Sequence, residues 1–332
     1  MTRIAGAERP PGSPMRTIAL RTLAVLITLA LLWWIVADAR WQGVSERLAR
    51  IDAIALAGVA LLFAASYAMR GARIYGEFKD ELGADRVRDG SPMRRYLRIL
   101  RLTLVHNALV NVMPFRSGEV AFPVLLTRWF GIATGRAVVA LLWLRAQDAC
   151  VVLVLAALVW PGVPIAWRLV ALAIIGGGAW AVPTWARRHR HTSSDEASES
   201  NQGKLARLRA LLARSTESNA SGWMWTIANW SVKLVAEAWL VALALGPREG
   251  SYDAGSAVLG AIGAELAAIL PVQGIAGFGT FEAGAAALMA TQGVAMTTGL
   301  EAALVLHAVV LALALIAGGL GALLLPGPRA VR

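Results

Sequence analysis

Three stretches of this sequence set ionisable and amide side chains beside helix-breaking residues in otherwise apolar surroundings. The first is Asn107-x-x-x-Asn111-x-x-Pro114-Phe115-Arg116-x-Gly118-Glu119. Asn107 and Asn111 are four apart and share one face of a helix. Pro114 ends that helix and frees backbone groups, with Arg116 and Glu119 at the break. An arginine so placed can hold a phosphate through paired hydrogen bonds; it can equally pair with Glu119 and lock the turn. The second is Arg145-x-x-Asp148, opposite charges one helical turn apart. They can pair with each other or reach Glu119 and Arg116. The third begins at Glu265 and runs through Leu270-Pro271-x-Gln273-Gly274-x-x-Gly277-x-Gly279-x-x-Glu282. Its glycines allow unusual backbone angles and close approach, and amides exposed at the start of the following helix can receive an anion. Glu282 can instead cap that helix or serve as a proton site. Asn107, Asn111, Arg116, Glu119, Arg145, Asp148, Gln273, Gly277, Gly279 and Glu282 are therefore the candidate substrate-binding residues.

Other polar residues have plainer readings. Lys233 and Glu237 are four apart and read as a self-neutralising pair. His106 and His307 read as hydrogen-bonded packing residues, although either could titrate near neutral pH. Cys150 lies in an apolar run and reads as a small buried residue. No zinc motif, phosphate-binding P-loop, dinucleotide fingerprint or nucleophile elbow occurs, so the sequence implies no cofactor, no metal and no assigned catalytic residue.

The elements that must carry these groups are membrane helices. Of the 332 residues, 57% are hydrophobic and 16% charged, against about 25% charged in soluble domains. A bilayer core of about 30 Å takes roughly 20 apolar residues as helix, and helices satisfy their own backbone there. Full spans are expected near 17–37, 51–69, 137–159, 164–186, 223–245 and 300–325. The apolar run at 17–37 is too long for a cleaved signal peptide and reads as an anchor. The net charge of +11 belongs to arginines between spans, where it orients the chain and meets lipid head groups rather than nucleic acid. Arg70–Arg101 and Arg187–Arg214 are the two richest segments and are expected on the cytoplasmic side, together with the tails 1–16 and 326–332.

Parity then constrains the rest. The segment 99–128 must begin and end on one side, and its first arm, Ile99–Met113, would reach only about 22 Å as helix. A re-entrant hairpin broken at Pro114 fits both facts. The segment 254–290, broken at Pro271, is expected to enter from the opposite face. The fold expected is thus an all-α integral membrane protein. It has about six full spans and two re-entrant hairpins, whose entry from opposite faces suggests an inverted repeat of the transporter kind. Residues 187–221 read as a cytoplasmic connector, with Leu205–Ala213 as an interfacial helix. Tryptophans such as Trp33, Trp34, Trp41, Trp160, Trp185, Trp223 and Trp225 sit near span ends as an aromatic belt.

The runs N-A-L-V-N-V-M-P-F-R-S-G-E (107–119) and L-P-V-Q-G-I-A-G-F-G-T-F-E (270–282), with Gly131, Arg145 and Asp148 between them, resemble the YbhN-like family. That family is related to the transmembrane flippase region of lysylphosphatidylglycerol synthases. The resemblance covers roughly residues 17–325 and implies lipid translocation or lipid handling. It departs at Leu144, where the family pattern E-R-x-x-D has Glu. With little chain beyond the last span, aminoacyl transfer is not expected. The expected function is transport of an anionic phospholipid or glycolipid in the cell (inner) membrane, with a membrane lipid as substrate. A membrane-embedded lipid-modifying enzyme, and a non-catalytic partner of an envelope lipid-synthesis enzyme, are the alternatives. A homo-oligomer is compatible with all three.

Overall fold

The computed structural model of the chain describes residues 40–83, 91–160, 162–188, 210–216, 219–246, 254–269 and 275–326. The expected first span, both chain ends, most of the connector, Pro271 and Gln273 lie outside the described residues. Within them all regular structure is helical.

A short helix, α1 (Arg40–Ala49), precedes α2 (Ala53–Glu77). Asp52 caps α2 by accepting from the amides of Ile54 and Ala55, which satisfies donors that a helix start leaves free. After α3 (Lys79–Gly83), Ser91 caps α4 (Pro92–Val112), with Pro92 in its first turn. A 3-10 turn over Pro114–Val120 leads into α5 (Ala121–Phe130), which ends on Gly131 at φ 67°. Then come α6 (Thr134–Val159) and α7 (Ile165–Arg188). A helical turn at 210–215 precedes α8 (Asn219–Leu245). The second broken unit is α9 (Ala254–Ile269), a 3-10 turn at Ile275–Gly277, and α10 (Thr280–Ala290); α11 (Met296–Leu324) follows.

Five helices, α2, α6, α7, α8 and α11, are long and apolar enough to cross a membrane. They match five of the six expected spans. Two expectations change. The helix that begins the first hairpin starts at Pro92 rather than near residue 99, and α2 continues to Glu77 instead of stopping at Met69. Arg70 and Arg73 are therefore not loop charges. They lie inside α2, and Arg73 is buried. The segment 210–216 is anchored: Ser215 and Thr216 are buried, Arg214 reaches Glu81 at 3.4 Å, and Ser215 accepts from Arg136 at 2.7 Å.

The two broken units pack differently. Small residues hold α9 against α10: a Cβ on Gly263 would fall 2.3 Å from the Gly284 carbonyl oxygen, and one on Gly284 would fall 2.5 Å from that of Gly263. Close backbone approach of this kind replaces the hydrophobic drive that is missing between helices in lipid. The first unit is filled by large side chains. Phe122 and Leu126 of α5 join Ile99 and Leu102 of α4, with Ile74 of α2, its C-cap Phe78 and Leu144 of α6, in one buried cluster. A second cluster joins α2 (Phe63, Tyr67), α8 (Leu240, Val241), α10 (Phe281, Met289) and α11 (Leu306). The two 3-10 turns pack against each other, so the breaks meet inside the bundle.

Candidate functional site

Where the breaks meet, a cavity of about 600 Å³ opens. Its walls come from α2 (Arg70), α4 (Asn107, Asn111), the first turn (Glu119), α6 (Arg145, Asp148), α8 (Trp230, Lys233), α9 (Glu265), the second turn (Ala276, Gly277) and α11 (His307). The volume is typical of a small-molecule site, and three cations and three carboxylates line it.

Pro114 ends α4 as expected: Met113 is extended and donates to the Leu109 carbonyl. Gly118 then lets the turn lie on the helix it follows, because a Cβ there would sit 2.4 Å from the Leu109 oxygen. This places Glu119 toward α6, where Arg145 Nη2 meets its Oε1 at 2.6 Å and His106 Nε2 stands 3.6 Å from its Oε2. Arg145 Nη1 also reaches Asp148 Oδ2 at 3.3 Å. Arg145 thus takes both of the partners open to it from the sequence. Asn111 Nδ2 donates to the Asn107 carbonyl at 2.8 Å. The Arg116 side chain lies outside what is described.

Asp148 is more heavily engaged than its spacing implied. Its Oδ1 accepts from Arg73 Nη1 at 2.6 Å and from Trp230 Nε1 at 2.9 Å. Arg73 Nη2 also donates to the Leu144 carbonyl at 2.7 Å and to Gln147 Oε1 at 2.9 Å. The Leu144 side chain packs into the α2–α4–α5 cluster, and only its backbone oxygen serves the guanidinium.

Arg70 differs from these. Its Nη1 donates to Asn107 Oδ1 at 2.9 Å, and it forms no ion pair among the described residues. A guanidinium has five N–H donors, and this hydrogen bond uses one of them. Opposite it, Lys233 Nζ lies 2.6 Å from Glu265 and 3.4 Å from Glu237, above the Trp230 ring at 4.7 Å. The simple Lys233–Glu237 pair read from the sequence is thus a three-member cluster whose shorter contact crosses from α8 to α9.

The glycine-rich turn is built as its composition implies. Gly277 and Gly279 have φ of 85° and 92°, and between α9 and α10 even Ala276 takes φ 54°, a conformation that disfavours side chains. Gly277 lines the cavity, and a Cβ on it would touch His307 at 3.6 Å. Gly277 is the glycine of this turn that lines the cavity, and Gly279 and Glu282 stand beside it at the start of α10. Glu282 Oε2 accepts from the Gly279 amide at 2.7 Å, capping α10, and its Oε1 meets His307 Nδ1 at 2.5 Å. His307 Nε2 faces the Ala276 carbonyl at 3.0 Å. A carbonyl can only accept, so Nε2 carries a hydrogen. Phe278 and Phe281 flank the ring at 4.3 and 4.6 Å. His307 therefore joins the cavity to the strained turn and is more than a packing residue.

The sequence reading missed Arg70, Arg73 and Trp230. A signal existed for the arginines: the apolar face of α2 continues past them to Ile74 and Phe78, so a helix extended by its periodicity encloses both. Trp230 carried no such mark, since tryptophan at a span end and tryptophan in a core read alike.

The chain matches the family model described as "Lysylphosphatidylglycerol synthase TM region" over residues 21–318. It belongs to that family. Searches of curated proteins and of solved structures each returned no match.

Proposed function

We propose that the chain carries an anionic phospholipid or glycolipid between the leaflets of the cell membrane, without aminoacyl transfer. The head group enters the cavity between the two breaks while its acyl chains stay in the bilayer. The observation behind this reading is Arg70: a cavity-lining guanidinium with one hydrogen bond to Asn107 and no carboxylate partner among the described residues. Ionisable groups at membrane depth are costly and mark substrate pathways, and an arginine left unpaired beside a polar cavity is suited to a phosphate. Glu119 and Arg145 tie the first turn to α6, so entry of a head group competes directly with a contact that holds the turn. The two broken units enter as re-entrant hairpins from opposite faces. The connector and both chain ends face the cytoplasm.

Leaflet exchange of fluorescent phosphatidylglycerol in proteoliposomes tests the reading. Exchange should exceed that of empty liposomes, and Arg70→Gln should slow it by about tenfold or more, the loss of one charged hydrogen-bonded contact. Arg70→Lys should retain part of the rate. Exchange equal to empty liposomes across a panel of anionic phospholipids and glycolipids would refute transport. A chemically altered lipid in the same vesicles would favour the enzyme reading instead. Cells that tolerate both Arg70→Gln and Glu119→Gln at normal expression would favour a non-catalytic partner.

A further inference from the structure

The Lys233 cluster has a feature that head-group binding alone does not use. Glu237 is fully buried, and neither of its carboxyl oxygens has a hydrogen-bond partner. Its nearest cation, Lys233, is 3.4 Å away and already donates to Glu265 at 2.6 Å. Two carboxyl groups thus share one ammonium ion in a site away from water. Tyr67 and Arg70 of α2 face the same cluster. From α6, Asp148 connects to it through Trp230. His307 of α11 lines the cavity together with Arg70, Asp148, Lys233 and Glu265, whereas Glu301 of α11 is paired with Arg47 of α1 at 2.8 Å.

Among the described residues, Arg70, Arg73, Arg145 and Lys233 stand with Glu119, Asp148 and Glu265 around the cavity, and Glu237 is buried beside Lys233. An anionic head group docking on Arg70 brings a further negative charge to a place where two carboxyl groups already share one ammonium ion. In a medium of low dielectric an uncompensated charge is expensive, and it is relieved most readily where like charges already crowd.

We infer that the Lys233–Glu237–Glu265 cluster is a proton-uptake site that couples anion entry at Arg70 to protonation of Glu237 or Glu265. This rests on the transport reading above and gives it an ion stoichiometry. The proton comes from water at the open face of the cavity and forms an O–H on one of the two carboxylates. No other bond changes. The protonated carboxyl then donates to its neighbour, and Lys233 is left with a single carboxylate. The lipid head group and the proton would cross together, and a pH gradient would drive the lipid.

Binding of dihexanoyl phosphatidylglycerol to the full chain in nanodiscs, in weakly buffered sodium-free solution with a pH dye, tests the coupling. The expected result is an uptake of about one proton per lipid bound. Glu237→Gln should still bind the lipid and lose that uptake, and Arg70→Gln should lose binding. Uptake that persists undiminished in Glu237→Gln, or wild-type binding with no uptake, overturns the coupling while leaving head-group binding standing. Binding with uptake but no leaflet exchange in vesicles overturns transport while leaving the proton site standing. No binding at all overturns both. Should Glu237→Gln fail to fold, Glu265→Gln provides the same comparison, since either carboxyl can take the proton only while the other remains to share Lys233.

Discussion

Replacing Asp148 with Asn tests the most unexpected part of the packing, because it leaves shape nearly unchanged and removes one charge. Oδ1 can still accept from Arg73 and Trp230, now 2.6 and 2.9 Å away. The new amide nitrogen replaces Oδ2, which accepts from Arg145 Nη1 at 3.3 Å, and sets donor against donor. Two guanidinium groups lose a shared counter-ion, and Arg73 is buried. Breaking a buried pair on one side costs about 3–5 kcal/mol in soluble proteins. Polar pairs in membrane proteins give less, because the dissociated helices also find partners. The lower end, about 3 kcal/mol or roughly a hundredfold in the folded-to-unfolded ratio, is therefore the expected loss. Arg73→Met should cost less, since Asp148 keeps Arg145 and Trp230. Adding Arg73→Met to Asp148→Asn should recover about 1 kcal/mol or more, as the orphaned charge disappears. Unfolding midpoints of the four proteins in mixed micelles measure the cycle. Additive losses, or an Asp148→Asn midpoint equal to wild type, would mean that Arg73 is solvated like a loop charge and that the α2–α6 contact is wrong.

Three further substitutions, at two residues, probe the turns. Gly118→Ala places a methyl group against the Leu109 carbonyl, where a Cβ would be 2.4 Å away; the backbone must shift, and thermal unfolding should show a loss of about 1–3 kcal/mol. At the second turn, Glu282→Gln can keep both contacts, its oxygen accepting from Gly279 and its amide donating to His307 Nδ1. Its midpoint should therefore stay near wild type, whereas Glu282→Ala strands a buried ring nitrogen and a helix-start amide and should cost about 2–4 kcal/mol. Equal effects of the two would contradict the double role given to Glu282.

The spans were legible because a bilayer imposes a length and a composition on any segment that crosses it, and five helices fell where those demands placed them. Pro114 and the Gly277–Gly279 run gave the breaks, since each removes or distorts helical hydrogen bonding wherever it occurs. The limits came from long side chains. Arg70 and Arg73 lower the hydropathy of the end of α2, so a reading based on runs cut the helix short and put them in a loop. Which residue faces which across the bundle is not periodic at all. That Arg145 would take Glu119 and Asp148 together was one of several pairings its spacing allowed, and that Lys233 would prefer Glu265 over its own helical neighbour Glu237 could not be read from a four-residue interval.

These pairings also explain what holds such a bundle in register. Apolar helix faces gain little by choosing each other over lipid tails, so burial alone does not decide which helices meet. The ionic contacts do discriminate, because most of those among the described residues join different elements. Arg73 of α2 holds Asp148 of α6 at 2.6 Å, and Arg145 of α6 holds Glu119 of the first turn at 2.6 Å. Lys233 of α8 holds Glu265 of α9 at 2.6 Å, while His307 of α11 holds Glu282 of α10 at 2.5 Å. Near the end of α2, Arg136 of α6 holds Glu77 at 2.7 Å and Glu81 at 3.0 Å. A wrong packing would leave one of these charges alone in lipid, at a cost larger than any gain in dispersion contacts. Among the described residues Arg70 is the cavity-lining cation without a carboxylate partner, so its cost is not offset by an ion pair of this kind.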